Sequence, residues 1–118
     1  MKIICLTTIK EGVTMDEIGP FIREETAHLW RLWKKGIVRE TYAYADKPGV
    51  VIVMEVKNSS EGREYLSRFP LTKAGMIEWT TVPVVAPWPL EAMFDQASLE
   101  RVGISDSEQE WAQELATK

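Results

Sequence analysis

The stretch that decides the fold is residues 37–56, IVRETYAYADKPGVVIVMEV. Its first part alternates, with Val38, Glu40, Tyr42 and Tyr44 expected on one face and Arg39, Thr41 and Ala43 on the other, which is the period of a half-covered strand. Asp46-Lys47-Pro48-Gly49 has the composition of a tight turn. Residues 50–56 are apolar at almost every position, so this second strand is expected in the middle of a sheet. Two strands and one turn make an antiparallel hairpin, and the question becomes what flanks it.

On the N-terminal side, residues 14–36 have the three-and-four spacing of an amphipathic helix. Ile18, Phe21, Ile22, Leu29, Leu32 and Trp33 form its apolar stripe. Thr14 and Glu17 are placed as a capping box, and Gly36 after Lys34-Lys35 is a C-terminal stop with cations at the negative end of the helix dipole. The Gly19-Pro20 pair is expected to kink the helix or delay its regular part, because proline has no N–H to donate. Before it, residues 3–9 read as a strand. On the C-terminal side, Asn58-Ser59-Ser60-Glu61 caps a second helix running to about Phe69, where Pro70 ends it or begins a loop. Residues 76–85 are a fourth β-rich run, with Pro83 at an edge or bulge. The order β-α-β-β-α-β is the ferredoxin-like pattern, an α+β fold with a four-stranded antiparallel sheet covered by helices on one face. Residues 1–86 make up this domain and residues 87–118 a helical C-terminal extension. In the extension, Pro87-Trp88-Pro89 reads as a rigid linker, residues 90–101 as a short helix, and Ser105 with Glu108 as the cap of a last helix. Its apolar stripes are expected to pack across a dimer.

Composition narrows the function classes. The chain has 118 residues, enough for one domain with a proper core. The net charge of -4, with no basic face, argues against a nucleic-acid partner. The single cysteine, Cys5, excludes an internal disulfide, fits a reducing compartment and reads as a small core residue. Residues 1–6 do not read as a signal peptide, and no apolar run approaches the ~20 residues of a membrane span. A cytoplasmic protein with a small-molecule substrate and no membrane partner is therefore the expectation.

One residue violates the helical pattern. At about 100° per residue, Glu25 falls near the centre of the apolar stripe, and His28, the only histidine, lies on its flank. A carboxylate there must be paired, hydrated or protonated. Burial among Ile22, Leu29 and Leu32 would raise its pKa towards the range of a general acid or base; a rim pairing with Arg39 or a lysine is the structural alternative. Glu25 and His28 are the candidate catalytic pair. Tyr42, Tyr44 and Glu40 share a strand face and are candidates for substrate binding if that face meets the helices, or for an interface if it does not. Arg39 could hold a substrate carboxylate, but shares a pocket with Tyr42 only if the strand bulges. The Glu-x-x-His spacing lacks the second copy that a di-metal site requires, so no metal is expected.

The run from Lys35-Gly36 through Arg39, Tyr44 and Glu55-Val56 resembles the muconolactone isomerase family. So does Glu61, Glu64-Tyr65-Leu66-Ser67, Phe69-Pro70-Leu71, Ile77-Glu78, Thr80-Thr81 and Pro83. The element from Leu66 to Leu71 is its most specific part, and the resemblance ends before the extension. It implies a dimeric α+β barrel, in which two sheets pack face to face in a homodimer that can assemble into larger rings. It also implies a cofactor-independent isomerase that shifts a double bond in a small lactone-like or aromatic-derived acid by proton transfer. Glu25 matches a glutamate of the family's first helix. His28 does not match a histidine there, and Glu40 and Tyr42 stand where the family has a histidine and a tryptophan. Alternative readings on the same fold are a cofactorless oxygenase or cyclase acting on polycyclic phenols, and a non-catalytic small-molecule binding protein.

Overall fold

In a computed structural model, which describes residues 1–87 with residues 97, 100 and 101, the hairpin lies in one four-stranded antiparallel sheet. The elements are β1 (Lys2–Ile9), α1 (Met15–Ile18), a 3-10 turn (Gly19–Phe21), α2 (Ile22–Lys34), β2 (Val38–Ala43), β3 (Val50–Glu55), α3 (Ser59–Ser67), α4 (Pro70–Lys73) and β4 (Ile77–Val84). The strand order is β2-β3-β1-β4, so β3 is central, as its apolar run requires, and Pro83 sits on an edge strand. The fold is the α+β, ferredoxin-like arrangement. The expected extension helices, the Pro87-Trp88-Pro89 linker and the dimer packing of the extension lie outside the described residues, apart from Pro87 and the helical positions Ala97, Glu100 and Arg101.

Local chemistry sets the element ends. Thr14 and Glu17 form the reciprocal capping box. Asn58 Oδ1 accepts the Glu61 N–H at 2.8 Å, while the Glu61 carboxylate accepts the Lys57 N–H at 2.8 Å. Pro20 breaks the long helix into α1, a 3-10 turn and α2. Ile18 and Leu32 are buried and Phe21 and Leu29 half-buried, but Ile22 and Trp33 are exposed. Pro70 opens α4 at its first position, where a missing N–H costs nothing.

Strand β2 departs from simple alternation. A bulge lies between Val38 and Glu40, with Val38 opposite Met54 and Glu40 opposite Val53. The extra residue is Arg39. Val38 is thereby turned to the helix-covered face with Thr41 and Ala43, and it does not share a face with Glu40 and Tyr42. Those two stand instead on the open face, which none of α1 to α4 covers, beside Val51 and Val53, and their β1 neighbours Ile4 and Leu6.

The covered face carries the core. Ile3, Cys5, Ile52, Met54 and Val56 pack against Leu32, Leu66 and Phe69. A second cluster, Ile18, Leu71 and Ile77, lies at the other end, and Trp79 touches both. Burial pushes the Cys5 thiol up to about 11, so it stays a neutral core side chain.

At the hairpin end, the β1–β3 pairing stops at Leu6 and Val51. The Thr7 side chain takes over: its hydroxyl donates to the Val50 carbonyl at 2.8 Å and accepts the Val50 N–H at 2.7 Å. The Tyr44 hydroxyl donates to the Thr7 carbonyl at 2.8 Å. Gly49 fits beneath this clasp with φ of 132°, and a Cβ there would lie 2.7 Å from the Tyr44 ring and 2.8 Å from Thr7 Oγ1. Gly49→Ala is therefore expected to destabilise the protein by about 1–3 kcal/mol, read from the urea unfolding midpoint.

Candidate functional site

Between the helix layer and the sheet is a cavity of about 140 Å³. Its walls are mainly apolar, with Ile18 and Ile22 from the helices, Ile77 and Val50 from the sheet, and Leu71 from α4. The β2–β3 turn closes one side with Pro48 and Gly49. Two side chains bring polar atoms: Thr7, whose hydroxyl is held by Val50, and Glu25. This explains why Ile22 is half exposed although it belongs to the stripe, since it sits at the cavity wall and not in the core.

Glu25 Oε1 accepts the Leu71 N–H at 3.0 Å. Leu71 is the second residue of α4, so this amide is one that the helix itself cannot satisfy. Among the described residues Glu25 has no ion-pair partner, and the rim pairing with Arg39 or a lysine is not formed. Burial pushes its carboxyl above the usual carboxylate range, and the Leu71 amide pulls part of that back. A carboxyl that retains its proton more readily than usual, facing an apolar cavity, can give and take a proton.

His28 opens on a different space. Its ring meets Phe69 edge-on, with centroids 4.4 Å apart, and its buried Nε2 has no hydrogen-bond partner among the described residues. It lines a groove of about 480 Å³ together with Glu24, Arg31, Arg68, Pro70 and Lys73. Burial lowers its pKa; the Tyr65 carbonyl opposes that, and the charges of Arg31, Lys73 and Arg68 lower it further. The Phe69-Pro70-Leu71 segment stands between the two spaces, with Leu71 in the cavity wall and Pro70 in the groove.

The other candidates are dispersed. Tyr42 is exposed on the open sheet face, and its hydroxyl donates to Glu40 Oε2 at 2.6 Å, a bond that raises the Tyr42 pKa. Tyr44 belongs to the hairpin clasp. Arg39, in the bulge, donates through Nε to the Gly36 carbonyl at the end of α2 and does not line the cavity. Sequence reasoning missed Thr7, whose signal was a hydroxyl at the inward position after Ile3 and Cys5. It also missed the convergence of Arg31, Arg68 and Lys73, which no local pattern announces. Among the described residues no three His, Cys, Asp or Glu side chains cluster as metal ligands, and no helix is long and apolar enough to cross a membrane.

No family model matches the sequence, and no curated protein matches it. Solved structures share the fold. Muconolactone isomerase superposes with a TM-score of 0.63 at 18% identity, over 74% of this chain and 91% of that one. The 5-chloro-2-hydroxyhydroquinone dehydrochlorinase of Burkholderia phenoliruptrix AC1100, solved with 2,5-dihydroxybenzoquinone, superposes with a TM-score of 0.56 at 18% identity, over 75% of this chain and 97% of that one. The chain is thus an α+β protein with the fold of muconolactone isomerase.

The raised Glu25 pKa has a consequence for stability. A carboxyl with a folded-state pKa above its unfolded value contributes stability below the unfolded value, and loses it as pH rises through the folded one. Glu25→Gln keeps an acceptor for Leu71 and has no charge to bury. The variant is expected to melt above wild type at about pH 8, with the gap closing towards about pH 4. A gap that is constant with pH would show that Glu25 is ordinarily solvated.

Proposed function

We propose that this protein is an enzyme of the isomerase or lyase kind that moves a proton on a small, oxygenated, single-ring acid, with Glu25 as the proton carrier. The observation that carries the reading is the position of Glu25: a partly buried carboxyl, with no ion-pair partner among the described residues, in the wall of an apolar cavity. The ionised form takes an acidic C–H proton from the substrate, and the protonated form returns it to another carbon or to a leaving group. The Leu71 amide holds the carboxylate in place, while the Thr7 hydroxyl, the other polar group in the wall, is engaged with the Val50 backbone. The reading agrees with the chemistry of proteins of the same fold, one an isomerase of a lactone and the other a dehydrochlorinase of a hydroquinone.

Cavity size supports a single-ring substrate. About 140 Å³ matches the size of cavity that holds one benzene ring, roughly 150 Å³. Neither His28 nor Tyr42 lines the cavity, and the hydroxyl proton of Thr7, the other polar side chain there, is already given to the Val50 carbonyl. With muconolactone and 5-chloro-2-hydroxyhydroquinone as trial substrates in D2O, wild type is expected to exchange the acidic C–H. Glu25→Gln should lower the rate by about 10²–10⁴-fold with the fold intact by circular dichroism. An unchanged rate removes Glu25 from the chemistry.

The same proposal includes a homodimer through the open sheet face. Ile4, Leu6, Val51, Val53 and Val82 lie on that face, and Val82 is well exposed. Tyr42 and Glu40 form its polar border. Val53→Lys is expected to convert a dimer into a monomer in analytical ultracentrifugation; a monomeric wild type would refute the interface.

A further inference from the structure

The groove that contains His28 lies on the helix layer, away from the open sheet face. It is built from three elements: Glu24, His28 and Arg31 on α2, Arg68 at the end of α3, and Pro70 and Lys73 on α4. His28 and Arg31 are three residues apart and therefore neighbours on the helix surface. Arg68 is shared with Glu64 at 2.6 Å. Among the described residues, Arg31 and Lys73 have no ion-pair partner. Glu24 is the groove's own carboxylate. The cations sit near helix C-termini, where the dipole favours them. The dipole does not account for their meeting around a histidine with a buried, unpartnered ring nitrogen.

From this cluster we infer that the groove is a second binding site, for the phosphate or carboxylate group of a small organic anion. Its volume of about 480 Å³ leaves room for more than the anionic group alone. Arg31 and Lys73 supply the charge-assisted hydrogen bonds, and Arg68 a third that competes with Glu64. His28 reports occupancy. Burial lowers its pKa first, and the charges that lower it further are the ones the anion neutralises, so binding raises that pKa and is accompanied by proton uptake. The Tyr65 carbonyl already favours the protonated ring, and Glu24, a turn away, opposes the anion. The site does not depend on the role assigned to Glu25.

Because His28 is the sole histidine, its imidazole signals in the full-length protein are assigned without ambiguity. The test titrates sodium sulfate, whose charge is constant over the pH range, against sodium chloride at equal ionic strength. Saturable shifts of the His28 signals are expected with sulfate alone, with the His28 titration moved to higher pH and tighter binding at lower pH. The double variant Arg31→Gln/Lys73→Gln is expected to weaken binding by about tenfold or more, Glu24→Gln to tighten it, and Glu25→Gln to leave it unchanged. Parallel titrations with inorganic phosphate and with succinate identify which anionic group is preferred. Shifts that chloride reproduces, shifts that do not saturate, or binding that both the double variant and Glu24→Gln leave unaltered would overturn the site.

Discussion

The hydrogen bond from the Leu71 amide to the Glu25 carboxylate joins the two halves of the helix layer, and much of the site depends on it. It ties the first turn of α2 to the start of α4 across 46 residues of chain. Leu71 can reach it because Pro70 opens α4 immediately after Phe69, which is anchored in the main core. The same short segment therefore bounds the cavity with Leu71, the groove with Pro70 and the core with Phe69. Shifting the register of this segment by one residue would exchange these roles.

A glutamine could accept the same amide proton without bringing a charge into an apolar wall. The capping duty of Glu25 therefore explains the presence of an acceptor, but not of an ionisable one. Glu25 is pulled in two directions, upward by burial and downward by the amide, which leaves a carboxyl that is raised but still held in one orientation. Fixed orientation and a shifted affinity for protons are the two properties proton transfer requires. A freely solvated glutamate has neither.

Much of the fold was legible because it rests on local rules. The apolar run of β3 marked a central strand, the caps at Thr14 and Asn58 marked helix starts, and Pro20 marked a break. Glu25 was legible for a related reason, since a charge in an apolar stripe stands out in one dimension. The rest depended on contacts between elements distant in sequence. A bulge at Arg39 reassigned Val38, because one inserted residue reverses the facing of all that precede it in the strand. The direction of Tyr42 and Glu40 followed from that register, and alternation alone left the covered and open faces equivalent. Arg68 and Lys73 meet Arg31 only because α3 and α4 fold back on α2, which no periodicity encodes.

Glu25 and His28, three residues apart on one helix, end up serving different environments. About 60° separates them around the helix axis at 100° per residue, and neighbours of this kind usually share one site. Here the Phe69–Leu71 segment wedges between them. On one side lies a small space with apolar walls, where a neutral carboxyl is favoured and charge is expensive. On the other lies a larger, open space where cations predominate and an anion would be welcome. Each pKa is displaced towards its neutral form, Glu25 upward and His28 downward, chiefly by loss of water. The secondary causes differ in kind: a backbone dipole steadies Glu25, whereas mobile charged side chains press on His28. Glu25 is consequently set by the fold alone, whereas His28, lowered first by its burial, responds in addition to whatever occupies the groove beside it.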